Sequence, residues 1–247
     1  MFGAGPVKVS RHVFEINCCI NIMPRYILFI EYSAYLCNMD KITRSFLAGV
    51  CIAIAGTAYL NVGGPAGMVM FAFGLIVVVV FKYLLFTGRS GYTWGSGYAG
   101  LAMMLLWNLV GCIAVASIVG VGEVAEKSQA IITARLAAGP VRCGLMSIGC
   151  GFIMTAAVRG YNEYGTWLPL LFGVPAFIAC GFPHCVADGF YIAACGADFF
   201  SENWIAILPY YISIVVGNYL GCNLFRVADL SMLRPIARKK EKNCRRH

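Results

Sequence analysis

Long apolar stretches dominate this chain, separated by short polar or Gly/Pro segments, and each is about the twenty residues that carry a helix across a bilayer. The pattern predicts spans at roughly 44–62, 66–87, 97–121, 136–158, 168–196 and 203–226, the fifth with an internal break. The expected fold class is therefore an all-α membrane protein of six transmembrane helices. Residues 39–228 form its transport domain, residues 1–38 an N-terminal segment and residues 229–247 a basic tail. The run Tyr26–Cys37 is too short to span and contains Glu31, which suits an interfacial helix, and residues 1–38 read as dispensable.

An even number of spans puts both termini on one side. Placing them inside leaves only Lys127, Arg135 and Arg142 of the 19 Lys and Arg near the outer face, as the positive-inside rule requires. The tail RPIARKKEKNCRRH carries seven of the rest, and reads as a cytoplasmic flank attracted to anionic lipid. Nothing aromatic is interleaved with those charges, which argues against nucleic-acid binding.

Span three carries Asn108-Leu-Val-Gly111-Cys112 and span six Asn218-Tyr-Leu-Gly221-Cys222, the same N-x-x-G-C spacing three spans apart. A three-plus-three repeat must be inverted in the membrane, and such repeats place a substrate path near the midplane. The competing explanation is chance recurrence of small residues at helix contacts, to which Gly217 and Gly221 are suited. The second span of each half supports the repeat, because helices two and five are both broken: at LFTG (Leu85–Gly88) and at GFPH (Gly181–His184). Proline removes an amide donor and glycine relaxes the backbone, leaving helix ends inside the membrane.

Composition agrees: 60% of residues are hydrophobic and 12% charged, with mean hydropathy +0.76, so most side chains face lipid or one another. The 12 Cys are scattered through apolar runs as small packing residues and spell no disulfide framework. Cys180, His184 and Cys185 form the closest approach to a metal site and lack a fourth ligand, so no metal and no cofactor are expected.

Ionisable residues inside spans are costly and tend to face a pathway or a partner. His184, at the second break, can offer a hydrogen bond or a proton to an anion; alternatively it is a buried neutral ring bonded to backbone freed by Pro183. Thr87, at the first break, offers a hydroxyl or a helix-end cap. Arg135, at the entrance of span four, is a lasting positive charge that attracts anions, or an interfacial side chain that snorkels. Phe71, Leu75 and Phe177 lie inward of the breaks, where they form an apolar constriction or ordinary packing.

Together, KITRSFLAGVCIAIAG in the first span, LFTG, WNLVG, GFPHCVAD and GNYLG make residues 41–228 resemble the formate/nitrite transporter family, which includes hydrosulfide channels. The resemblance implies an aquaporin-like fold, a homopentamer, and a substrate path through each protomer. It makes His184 the central pore histidine, Thr87 the threonine facing it, Phe71, Leu75 and Phe177 the inner constriction, and Leu85 and Phe86 the outer one. Arg135 falls where the family usually has lysine. Three positions depart from the pattern: Gly151 and Asp188 stand where asparagines are usual, and Lys82 where a small neutral residue is usual.

The expected function is a channel or proton-linked transporter for small monovalent anions such as formate, nitrite or hydrosulfide, in the inner cell membrane with both termini cytoplasmic. The alternative is a neutral-solute channel of the aquaporin or urea type, against which stands the lack of paired N-P-A motifs. An intramembrane enzyme built on His184, Cys185 and Asp188 has no recognisable catalytic motif behind it, so no enzymatic activity is expected. A lipid-binding protein acting through its tail is a third reading.

Overall fold

A computed structural model of the chain describes residues 40–92 and 97–244; the expectations for residues 1–38 lie outside them. Every regular element in the described residues is helical. Four helices are long and apolar enough to cross a membrane: α1 (Asp40–Val62), α4 (Tyr98–Val119), α6 (Pro140–Tyr164) and the stretch Ala197–Val227 of α9 (Ala197–Cys244). The shorter apolar helices are α2 (Gly64–Val80), α7 (Leu168–Ala179) and α8 (Cys185–Ala194). The one-turn α3 (Phe86–Arg89) follows α2. The protein is an integral membrane protein, and its surface fits that role: Phe73, Ile113, Phe172, Trp204 and Ile205 are exposed, while Asn108, Ser147, His184, Asp188 and Asn218 are buried.

The breaks are built alike. Helix α2 ends with Tyr83 N donating to Val78 O (2.8 Å) and Lys82 N to Val79 O (3.1 Å). Helix α7 ends with Phe182 N donating to Phe177 O (3.0 Å) and Gly181 N to Ile178 O (2.9 Å). These are the two bonds of a Schellman motif, which demands a left-handed residue just past the helix. Gly181 supplies it at φ 68° without a Cβ, and Lys82 at φ 57° with one. The chain then extends through Leu85 and His184, the N-caps of α3 and α8. The first break therefore occupies residues 81–85, ahead of most of the LFTG motif, and Leu85 rather than Thr87 holds the position equivalent to His184.

The N-x-x-G-C motifs secure these breaks through matching bonds. Asn108 Oδ1 accepts from Phe86 N (2.9 Å), and its Nδ2 donates to Ser45 O (2.7 Å) and Leu84 O (2.8 Å). Asn218 Oδ1 accepts from Cys185 N (2.8 Å), and its Nδ2 donates to Ser147 O (2.8 Å) and Pro183 O (3.0 Å). Each asparagine thus serves a helix-start amide and a carbonyl that the break strips of helical partners, where no water can do so. Cysteines four residues on reach across to the opposite break: Cys112 Sγ donates to Val186 O (3.5 Å) and Cys222 Sγ to Thr87 O (3.2 Å).

Close helix crossings make these bonds possible. A Cβ on Gly49 would collide with Asn108 O, and one on Gly111 with Phe46 O; Gly151 and Gly221 meet Asn218 O and Ile148 O in the same way. Gly151 therefore brings α6 against α9.

One element departs from expectation. Residues 122–135, expected as a loop, belong to α5 (Gly122–Ala138), and the following span starts at Pro140 instead of 136. Gly139, at φ 85°, separates the two helices. Helix α5 buries Val124, Ser128 and Ile132, one residue per turn, and exposes charge elsewhere.

Candidate functional site

His184 and Thr87 are brought together from the two breaks. The N-cap position aims the imidazole back over the first turn of α8, where Ala187 N donates to Nδ1 (3.1 Å). With Nδ1 accepting, the neutral ring carries its proton on Nε2, which lies 3.0 Å from Thr87 Oγ1 and donates to it. The threonine hydroxyl keeps its own proton to offer elsewhere. Both side chains are buried, at 2% and 1% exposure, so any solute reaching them has lost bulk water.

Two cavities lie in succession along α2. The smaller, about 130 Å³, is lined by Phe71, Phe177, Arg135, His184, Asp188 and Tyr191. The larger, about 420 Å³, is lined by Leu75, Val78, Lys82, Leu85, Arg89 and Glu163. Leu75 follows Phe71 by one helical turn, so it continues the same face toward the second cavity. Phe71 packs edge-on against Phe177 (centroids 6.3 Å, 88°), and Phe177 stacks on His184 (5.9 Å, 29°). The constriction residues therefore group differently from the expectation. Phe71 and Phe177 share a cavity with Arg135, while Leu75 and Leu85 share one with Lys82 and Arg89. Phe86 is buried and lines neither; its backbone amide is held by Asn108. An open groove of about 590 Å³ between α4, α8 and α9 is apolar and carries no ionisable side chain of the predicted site.

Arg135 lies in the last turn of α5 rather than on the span that follows, and it is not a lone cation. Its guanidinium pairs with the Asp188 carboxylate. Tyr210 from α9 closes the triangle, donating to Asp188 Oδ2 (2.7 Å) with its hydroxyl 3.4 Å from Arg135 Nη1. Asp188 is fully buried. Sequence reasoning noted Asp188 as a departure and as a candidate of the enzyme reading, and missed Tyr210, whose signal was a tyrosine inside an apolar span with a hydroxyl that needs a buried partner. Lys82, the other departure, is exposed at the mouth of the larger cavity, and its carbonyl accepts from Arg44 Nε (3.1 Å).

The family model for formate/nitrite transporters matches residues 30–230. A probable formate transporter from Methanothermobacter thermautotrophicus is 26% identical, over 74% of this chain and 85% of that protein. An uncharacterised transporter from Bacillus subtilis, YrhG, is 27% identical, over 73% of this chain and 79% of that one. Among solved structures, a pentameric formate channel with formate bound superposes with a TM-score of 0.68 at 18% identity, covering 79% of this chain and 97% of its own. An ion channel described as of the FNT family gives 0.62 at 21% identity, covering 78% and 89%. At these identities the structural matches establish a shared fold.

Proposed function

The chain belongs to the formate/nitrite transporter family, and from that premise we propose that it is a channel or proton-linked transporter for small monovalent anions such as formate, nitrite or hydrosulfide. In this reading the chain crosses the membrane six times in a three-plus-three inverted repeat of aquaporin-like form, with α2–α3 and α7–α8 as the broken second and fifth crossings. The matched asparagine bonds at the two breaks support the repeat. Five protomers assemble, each with its own path, in the inner cell membrane with both termini cytoplasmic; the pentameric formate channel that shares this fold supports that assembly. The basic tail lies against anionic lipid.

The observation that carries the proposal is the buried His184–Thr87 pair, in which His184 lines the smaller of the two cavities that succeed each other along α2. On the assignment that puts Arg135 outside, a solute passes Phe71 and Phe177, meets His184 and Thr87, and leaves past Leu75 and Leu85. Carrying a bare charge through an apolar constriction costs several kcal/mol, and two donors offset part of it: the Thr87 hydroxyl, and the His184 Nε2–H once it turns from Thr87 Oγ1 to the anion. His184 acts through its Nε2–H, because a second ring proton on Nδ1 would displace the Ala187 amide that caps α8. The histidine is thus a hydrogen-bond donor that stabilises the anion until a proton carried in from the outer side as hydronium neutralises it and leaves water behind, and the neutral acid then passes the leucines at much lower cost. Thr87 supplies the second donor.

The test is flux of formate and nitrite into proteoliposomes at two pH values, comparing the parent with His184→Asn. A hydrogen bond to a charged group is worth about 1.5–3 kcal/mol, so the variant should lose roughly tenfold to a hundredfold in rate. Unchanged rate, anion preference and pH profile would overturn the role of His184.

A further inference from the structure

Resting on that reading, we propose that Asp188 is a specificity-determining residue of the path: it neutralises Arg135, so that the vestibule binds anions by short-range hydrogen bonding and not by long-range attraction. Among the described residues, Arg135 and Asp188 are the only formally charged side chains lining the smaller cavity. Their charges cancel at contact distance. Tyr59 of α1, His184 at the N-cap of α8, Tyr191 of α8 and Tyr210 of α9 face the pair and bring no formal charge as neutral side chains. Arg142, on α6, does not line the cavity.

The geometry makes the compensation permanent. Asp188 is fully enclosed, with Oδ1 on Arg135 and Oδ2 on the Tyr210 hydroxyl at 2.7 Å, so it has no free edge to turn toward a solute. It also sits in the first turn of α8, where its charge offsets the positive end of the helix that His184 caps. Arg135 is different: its side chain keeps 20% of its surface, and its protein bonds all run through Nη1. The Nε and Nη2 edge is left to donate to an arriving anion. Such a site recognises a small planar oxyanion by geometry while holding it weakly, because Asp188 has removed the net attraction. Weak holding suits rapid passage, since an ion bound too well does not leave.

Ionic strength screens net charge but scarcely touches a neutral pair, so salt distinguishes a compensated vestibule from a charged one. Formate uptake by proteoliposomes is measured at low and high ionic strength, set with an impermeant organic anion. In the parent, half-saturation is nearly independent of salt. In Asp188→Asn, one uncompensated positive charge lowers half-saturation about tenfold or more at low salt, the gain disappears at high salt, and the maximal rate falls. In Arg135→Gln, the uncompensated carboxylate raises half-saturation, and salt brings it down. The double variant Arg135→Gln/Asp188→Asn is neutral again and loses the salt dependence. Should Asp188→Asn not fold, the opposite salt response of Arg135→Gln and the flat response of the double variant decide the matter.

Thermal stabilisation of the detergent-purified protein by sodium formate is the second readout, and it does not require transport. If the parent carries neither formate nor nitrite, the anion-pathway reading falls. Stronger formate stabilisation of Asp188→Asn than of the parent at low salt would still uphold charge compensation. A folded Asp188→Asn protein with parental half-saturation, salt response and formate stabilisation would overturn it.

Discussion

Replacing Asn218 by alanine should weaken the second break more than any surface change. Asn218 is fully buried and makes three bonds: it accepts from Cys185 N and donates to Ser147 O and Pro183 O. Alanine leaves the Cys185 amide orphaned at the start of α8, which costs about 1–3 kcal/mol in a dry interior. Pro183 O loses its side-chain partner as well, whereas Ser147 O lies within α6 and is less affected. Measured side-chain bonds within membranes average nearer 0.6 kcal/mol, so three of them set a floor of about 2 kcal/mol. The expected loss is therefore roughly 2–3 kcal/mol, or about 4–12 °C in the unfolding midpoint of a chain this size. Thermal unfolding in detergent measures it. Asn218→Leu, which refills most of the volume, separates the orphaned groups from the cavity. Asn108→Ala should match Asn218→Ala because its three bonds are equivalent. Asn223→Ala is the control, since its bonds go to its own helix at Tyr219 O (2.8 Å) and weakly to Ser90 O (3.3 Å). An Asn218→Ala protein within about 0.5 kcal/mol of the parent, the range of an ordinary surface change, would refute the reasoning.

Two further outcomes follow from packing. Gly217→Ala puts a methyl group into Ser147 Oγ and Gly144 O, so it should cost about 1–3 kcal/mol; Gly100→Ala meets nothing within 4 Å and should be neutral or stabilise by up to about 1 kcal/mol, which paired melting curves would check. Phe71→Leu removes the ring that packs edge-on against both Tyr59 and Phe177, so lactate flux should rise relative to formate in proteoliposomes; an unchanged ratio would remove Phe71 from the constriction.

The apolar stretches and their Gly/Pro punctuation located every long apolar helix among the described residues, because lipid imposes length and hydropathy on each crossing. The second break was legible to within a residue, since Gly181 and Pro183 announce it. The first was placed too late: Lys82 adopts the left-handed conformation without being the glycine that normally signals it. Helix α5 was missed because its buried positions, Val124, Ser128 and Ile132, include a serine that hides the apolar stripe. The N-x-x-G-C motifs were seen as a repeat, yet their work in satisfying the breaks depends on contacts between distant spans. The same is true of Arg135, Asp188 and Tyr210, which come from three helices and carry no signature of spacing.

On the proposed function, small monovalent anions should pass while neutral solutes of similar size should not. Proteoliposomes carrying the purified protein, challenged in parallel with formate, nitrite, hydrosulfide, glycerol and urea, test it most directly. The expected result is saturable passage of the anions and no passage of glycerol or urea above protein-free vesicles. Passage of glycerol or urea without the anions would contradict it and make the chain a neutral-solute channel.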